Sequence, residues 1–483
     1  MLQGLPLFIP AGGQENQSSL QLQDDSGETP AAVGVVPDLT SCAVPPASIP
    51  PPAPPVYITD SGRQSRQTER YGTRTLLAVP TERDEEHALT LSVNKAMKSR
   101  PEEAAPVIVA EVQQMLDKNV WHPVYWNDLS EEERRATLRS SMFLKDKYLS
   151  TGEFEKFKAR LVAGGDQQDE DLYADLSAPT AATGHVFAVA AIAAKEGREV
   201  RALDIGGAFL NADIGVTGIP VHMRLDKTLT RVLTQLDPTY TKYVRRDGTV
   251  VVKLDKALYG CVEAAKLWYE DLRSTLHKAG YAENRYDRCV FNRTNMGVQT
   301  TLALHVDDIL ATSTSSSDLD DLVTHLKQSY PAVGVRSGKV ISYVGMTFDF
   351  GVAGEVSILM ENFTSTILSE HPEVKTRITP AAENLFVVRE GQRQATDKER
   401  DIFRATVAKL LYLAKRIKPE CLTAVAFLST RVLKCDEDDL KKLQRLLGYV
   451  KSTAERGMRL RIGDTMILIT YIDVAYRVYS ETL

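Results

Sequence analysis

The sequence predicts an α+β fold, with helices and short antiparallel strands interspersed rather than wound as a regular strand–helix alternation. Three observations carry this. Residues 107–116 and three segments beyond Thr379 (403–414, 422–432 and 440–450) place apolar side chains at helical spacing. From Met142 the texture changes to short runs bounded by turn residues, as in strands 143–149 and 157–163 around Ser150-Thr151-Gly152-Glu153. There is no internal repeat, and no apolar run approaches the roughly 20 residues of a membrane span.

A chain of 483 residues, 43% hydrophobic and 25% charged, is long enough for two or three globular domains. The N-terminus lacks a basic-then-apolar signal sequence. Five cysteines without paired spacing give neither a zinc site nor a disulfide framework, which fits a reducing intracellular setting. The net charge of −6 argues mildly against nucleic-acid binding, yet residues 401–461 hold 14 Lys and Arg against 7 Asp and Glu, a local net of +7.

In chain order, residues 1–85 are rich in Pro, Ser, Gln and Gly and bury too little to offset their ordering entropy, so they are expected to be disordered. Ordered structure is expected from about Ala88. Ser130 caps a helix with Glu133 three residues on, a capping-box pattern. Residues 180–195 read as an Ala-rich helix with Val186, Val189 and Ile192 on one face, 200–205 as a strand, 264–279 as a helix and 300–312 as strand–turn–strand.

Candidate chemistry sits on carboxylates. Leu302, Leu304 and Val306 alternate with polar or small residues, Asp307-Asp308 interrupts, and Ile309-Leu310 resume: a hairpin presenting two acids at its tip. About a hundred residues earlier Asp204 ends an apolar strand, and Gly206-Gly207 lets the chain turn toward a helix expected near Ala208. Gathered carboxylates repel by about 4 kcal/mol per pair at 4 Å and an effective dielectric near 20. Metal ions relieve that cost, and two of them can drive an in-line phosphoryl displacement. An isolated Asp-Asp is more commonly just a polar turn.

The surrounding motifs carry more. Leu304-His305-Val306-Asp307-Asp308 resembles the aromatic-x-Asp-Asp box of reverse transcriptases, and Leu203-Asp204-Ile205 with Phe209-Leu210-Asn211 resembles their first carboxylate motif. Lys256-Ala257-Leu258-Tyr259-Gly260, Trp268-Tyr269 and Phe157-Lys158-Ala159-Arg160-Leu161-Val162-Ala163-Gly164-Gly165 resemble segments specific to copia-type retrotransposons. Tyr343-Val344-Gly345-Met346 and Lys409-Leu410-Leu411-Tyr412-Leu413 continue the order to the C-terminus.

The resemblance implies a right-hand polymerase: fingers with N-terminal helices over 86–195, a palm over 196–350, thumb or connection helices over 351–461, and the start of a ribonuclease H domain over 462–483. It implies RNA- or DNA-templated DNA synthesis from dNTPs within a retrotransposon polyprotein, on an RNA template, DNA primer or RNA–DNA hybrid, in a cytoplasmic particle or the nucleus. Asp204, Asp307 and Asp308 would hold two Mg2+ or Mn2+ ions. Lys158 and Arg160, on one face of their strand by alternation, would clamp the triphosphate. Phe209 would block a ribose 2′-hydroxyl, Tyr259 and Glu263 lie in the segment lining the nucleotide pocket, and Tyr343, Val344, Gly345 and Met346 would hold the primer terminus. Two positions depart from the family: His305 where Tyr is frequent, and Glu263 where Gln is frequent. The chain also looks like a detached piece of a polyprotein, with residues 466–473 resembling a first ribonuclease H strand and Glu481 the only later acid, so no ribonuclease H activity is expected. A decayed or domesticated copy that binds without catalysis is the alternative.

Overall fold

A computed structural model describes residues 56–58, 64–66, 91–148 and 154–464. The chain divides into two units, Met1–Ala78 and Val79–Leu483. In the first, Val56–Ile58 and Gln64–Arg66 pair as an antiparallel hairpin. The rest of the segment expected to be disordered, the turn at 149–153 and the ribonuclease H-like stretch with Asp473 and Glu481 lie outside the described residues.

The second unit mixes helices and antiparallel strands, as the α+β reading requires. Its central sheet has six strands in the order Ala282–Glu283, Val290–Asn295, Val298–His305, Asp308–Ser313, Glu199–Ile205, Val333–Ser337, every pairing antiparallel. Consecutive residues from Thr300 to Leu304 are all buried, so both faces of the Val298–His305 strand are covered, and a strand with one wet face would alternate instead. The helix Thr183–Glu196 packs on this strand, and Ser316–Ser329 packs on the sheet at Asp308–Ser313 and Val333–Ser337. Trp268 and Tyr330 are fully buried and meet edge-on at 5.2 Å, and the Tyr330 hydroxyl donates to Asp271 Oδ2 at 2.8 Å.

A second sheet holds Leu138–Tyr148 and Phe154–Ala163 as a long antiparallel pair. It continues through His222–Leu225 and Val250–Leu254 to Trp121–Val124. Buried Phe157, Ala159 and Leu161 face inward along Phe154–Ala163, which turns Lys158 and Arg160 to the other face. Beside this sheet lies the helix Pro101–Asp117, and the Ser130–Glu133 capping box forms as expected at the start of Glu131–Ala136. A third, four-stranded sheet orders Val340–Tyr343, Met346–Asp349, Glu355–Leu359 and Met458–Arg461. The C-terminal helices are Asp397–Ala414, Leu422–Thr430 and Glu437–Ser452.

One expected element differs. No helix follows Asp204 near Ala208. The chain makes a single 3-10 turn, Phe209–Asn211, in which the Asn211 amide donates back to the Gly207 carbonyl at 3.2 Å, and Ala212 is already extended. A side chain competing for backbone partners ends the helix after one turn.

Candidate active site

Strand register brings the acids together. Asp308 lies directly opposite Asp204 on the neighbouring strand, so their side chains share one face with Cβ atoms about 4.5–5.5 Å apart. On its other side Asp204 faces Gly334, which adds no side chain there. Asp307 sits in the two-residue turn between His305 and Asp308, and its carbonyl accepts from Ile205 N at 3.1 Å, tying the turn to the Asp204 strand.

That turn is strained. Val306 has φ +58°, a left-handed conformation rare for a β-branched residue and one that a two-residue hairpin ordinarily gives to glycine or asparagine. The buried Trp268 indole holds it there, donating to the Val306 carbonyl at 2.7 Å. The next hairpin repeats the device: Val344 and Gly345 have φ of +50° and +70° between Tyr343 and Met346, and the Tyr343 hydroxyl donates to the Ala303 carbonyl at 2.9 Å. Thr180, His305, Tyr343, Val344, Met346 and Arg416 border a cleft of about 290 Å³ between these turns. Burial, with the Arg416 charge adding to it, holds the His305 imidazole below the ordinary histidine range.

The basic strand faces the acids. Burial raises the Asp307 carboxyl above the ordinary range and Asp204 raises it further, while Arg160 and Lys158 oppose the shift. Arg160 stacks on the Tyr259 ring, 4.5 Å from its centre, and Phe209 packs against the same ring with centres 4.7 Å apart. Burial, against the pull of Arg160, pushes the Tyr259 hydroxyl up to about 12.

Two backbone approaches lock the strand in place. Ala163 N donates to the Tyr259 carbonyl at 2.8 Å. Just beyond, Gly165 and Gly260 meet so closely that a Cβ on Gly165 would lie 1.8 Å from the Gly260 carbonyl oxygen. Glu111, 8% exposed, accepts from Leu161 N at 2.8 Å, and burial raises its carboxyl.

Glu263 is held by neighbouring side chains. It is 2% exposed, and its two oxygens accept from the Tyr173 hydroxyl and from Gln168 Nε2, each at 3.0 Å. Its charge is turned into the protein. Phe209, 5% exposed, is mostly covered by its packing.

Among the described residues no three His, Cys, Asp or Glu side chains form a ready cage for a metal ion. The donor set still fits magnesium, which is usually held by one or two carboxylates together with substrate phosphates and water. Half-buried Asp307, raised by burial and by Asp204, is a carboxylate a hard cation would stabilise.

Trp268 and Glu111 support the site in ways that their sequence patterns did not announce. Trp268 stands inside a recognised motif without a role of its own, and Glu111 looks like one more helical acid. Arg336, whose Nη2 lies 4.0 Å from Asp308, carries no signal in the sequence.

Residues 131–382 match the family model described as reverse transcriptase (RNA-dependent DNA polymerase). The chain is similar to the retrovirus-related Pol polyprotein from transposon RE1 of Arabidopsis thaliana, 27% identical over 334 residues, which are 68% of this chain and 21% of that protein. It is similar to a putative transposon Ty5-1 protein of Saccharomyces cerevisiae, 23% identical over 251 residues, covering 50% of this chain and 79% of that one. A Ty1-DR5 Gag-Pol polyprotein from the same yeast is 26% identical over 307 residues, 61% of this chain and 15% of the polyprotein. The chain thus spans about a fifth of the length of the Arabidopsis polyproteins. With more than half of its residues inside the family's profile, the chain belongs to the reverse transcriptases and is a distant relative of the copia- and Ty1-type Pol polyproteins.

Proposed function

We propose that this chain is a template-directed DNA polymerase that extends a primer with dNTPs, part of a retrotransposon polyprotein. The observation that supports it best is the register placing Asp204 opposite Asp308, with Asp307 next to Asp308 in the turn and in the field of Lys158 and Arg160. In this reading 86–195 are fingers, 196–350 the palm and 351–461 the thumb and connection.

Asp204 and Asp307, assisted by Asp308, would hold magnesium ions, which when bound supply Lewis-acid activation of the primer hydroxyl and stabilise the departing pyrophosphate. Arg160, pre-oriented by its stack on Tyr259, presents a fork to the triphosphate, and Lys158 adds a point charge. The Val306 and Val344 turns fix the primer end against Asp307: strained backbone held by Trp268 and Tyr343 leaves the carboxylate little freedom to wander. Phe209 borders the sugar through the edge its packing on Tyr259 leaves open. The template and primer are RNA and DNA strands, and no described helix is long and apolar enough to cross a membrane. Primer extension on a homopolymer RNA template with magnesium, run beside an Asp307→Asn variant, tests the assignment. A decayed copy would bind the template–primer and extend nothing.

A further inference from the structure

One face of the helix Pro101–Asp117 props two parts of the site at once. Glu111 holds the Leu161 amide under the basic strand, and Gln114 and Lys118 follow at i+3 and i+7, within about 10 Å along the axis. Both lie against Gly207, three residues past Asp204. A Cβ there would stand 3.1 Å from Gln114 Nε2 and 3.4 Å from Lys118 Cε.

Lys118 ends on Asn211. Its Nζ donates to Asn211 Oδ1 at 2.5 Å, and Asn211 Nδ2 donates on to the Gly207 carbonyl at 3.2 Å. An ammonium only donates and a carbonyl only accepts, so these two partners fix which way the Asn211 amide faces. An Asp or Leu side chain of similar size could not serve both. The same Gly207 carbonyl accepts from Leu210 N at 3.1 Å, and the Phe209 carbonyl accepts from Ala212 N at 3.1 Å. Phe209 is thus caught between the two anchored ends of its turn, and its ring meets Tyr259 with centres 4.7 Å apart.

The arrangement costs stability. Lys118 is half-buried, burial holds its ammonium below the ordinary lysine range, and no carboxylate among the described residues pairs with it. A methionine would fill a similar volume without burying a charge, so packing alone does not account for a lysine here.

We infer that Lys118 is a positioning residue for sugar selection: through Asn211 it fixes the 209–211 turn, and with it the place of the Phe209 ring against the ribose of an incoming nucleotide. This rests on the polymerase reading, in which Phe209 borders the sugar. Lys118 acts through Asn211 and Phe209 and contacts no part of the nucleotide.

The test is single-nucleotide incorporation by the full chain on an RNA template and DNA primer with magnesium, comparing kcat/KM for a dNTP with that for the matching rNTP. Lys118→Met should lower the dNTP-over-rNTP ratio by about tenfold, below the ~100-fold that a displacement of about 1 Å can cost. The thermal midpoint should hold or rise, since an unpaired half-buried cation is gone. Asn211→Leu should lower the ratio at least as far, and Lys118→Met should add nothing on top of it, because both act along one path. An independent phosphate contact from Lys118 would instead raise KM for both sugars alike, leave the ratio unmoved and multiply with Asn211→Leu. That result overturns the inference. So does a ratio that falls only in company with the thermal midpoint, which would make Lys118 structural. A wild type that extends no primer removes the polymerase reading and sugar selection with it, whereas extension with an unmoved ratio in Lys118→Met overturns sugar positioning alone.

Discussion

Replacing Gly165 by Ala drives a methyl group into the backbone that docks the basic strand. The new Cβ would stand 1.8 Å from the Gly260 carbonyl oxygen and 2.9 Å from its carbon, neither of which can swing aside. Real Cβ atoms stay more than about 3.0 Å from such neighbours, so the two segments must part by roughly 1.2 Å. The Ala163 N to Tyr259 carbonyl bond, 2.8 Å in the native protein, would then stretch beyond reach. Losing it and leaving its groups unpaired costs about 1–3 kcal/mol. The larger effect falls on chemistry. Arg160 leaves its stack on Tyr259, and a displacement of about 1 Å in a positioning group can cost ~100-fold in rate. Single-nucleotide incorporation at saturating template–primer, with dNTP varied, should show kcat/KM lowered by about two orders of magnitude, alongside the stability loss in urea unfolding. Gly164→Ala is the internal control. Its Cβ would meet Arg139 Cγ at 2.8 Å, which a turn of the exposed Arg139 side chain can relieve, and the Arg139 carbonyl only at 3.2 Å, so the loss should be smaller than at Gly165. Equal effects from the two substitutions, or a Gly165→Ala protein with native kcat/KM, would refute this reasoning.

Three further outcomes follow from the surroundings of the site. Glu111→Gln should stabilise the protein at neutral pH, because burial holds the Glu111 carboxyl above its ordinary range. The native chain loses stability as pH rises from the ordinary glutamate range through the raised value. The two proteins should therefore converge in acid, and pH-dependent unfolding with no convergence would count against it. Glu263→Gln should leave the Michaelis constant for dNTP unchanged, since both oxygens are engaged by Tyr173 and Gln168, and a clear shift in that constant would put its charge in the pocket. Phe209→Ala should raise ribonucleotide incorporation relative to deoxyribonucleotide, at about 3–5 kcal/mol of stability for the missing core ring; an unchanged ratio would reduce Phe209 to packing.

The parts of the site legible in the sequence are those set by local pattern. Apolar alternation broken by Asp307-Asp308 announces a hairpin, and the structure has one, because a two-residue loop between buried strands leaves no other arrangement. Alternation along 157–161 puts Lys158 and Arg160 on one face. The glycines of the copia-like segments are visible as letters, but not their purpose: Gly165 and Gly260 are 95 positions apart, and only the fold shows that they touch. The four-stranded sheet is unreadable for the same reason, since Glu355–Leu359 finds its partner at Met458–Arg461. The positive balance of 401–461 reads as one surface, yet part of it is spent internally. Arg431 pairs with Asp436 at 3.3 Å and Asp439 at 2.9 Å, and buried Lys418 caps the Thr453 carbonyl at 2.5 Å. Net charge along a sequence cannot distinguish a buried ion pair from an open cation.

The most direct test of the polymerase reading is primer extension by the purified chain, wild type beside Asp307→Asn, on an RNA template with magnesium and dNTPs. The native protein should extend the primer. The variant should bind the same template–primer, unfold at the same temperature or higher because the Asp204 repulsion is relieved, and add no nucleotides. Full extension by the Asp307→Asn protein would contradict the assignment of Asp307 as a metal-holding carboxylate and, with it, the proposed mechanism.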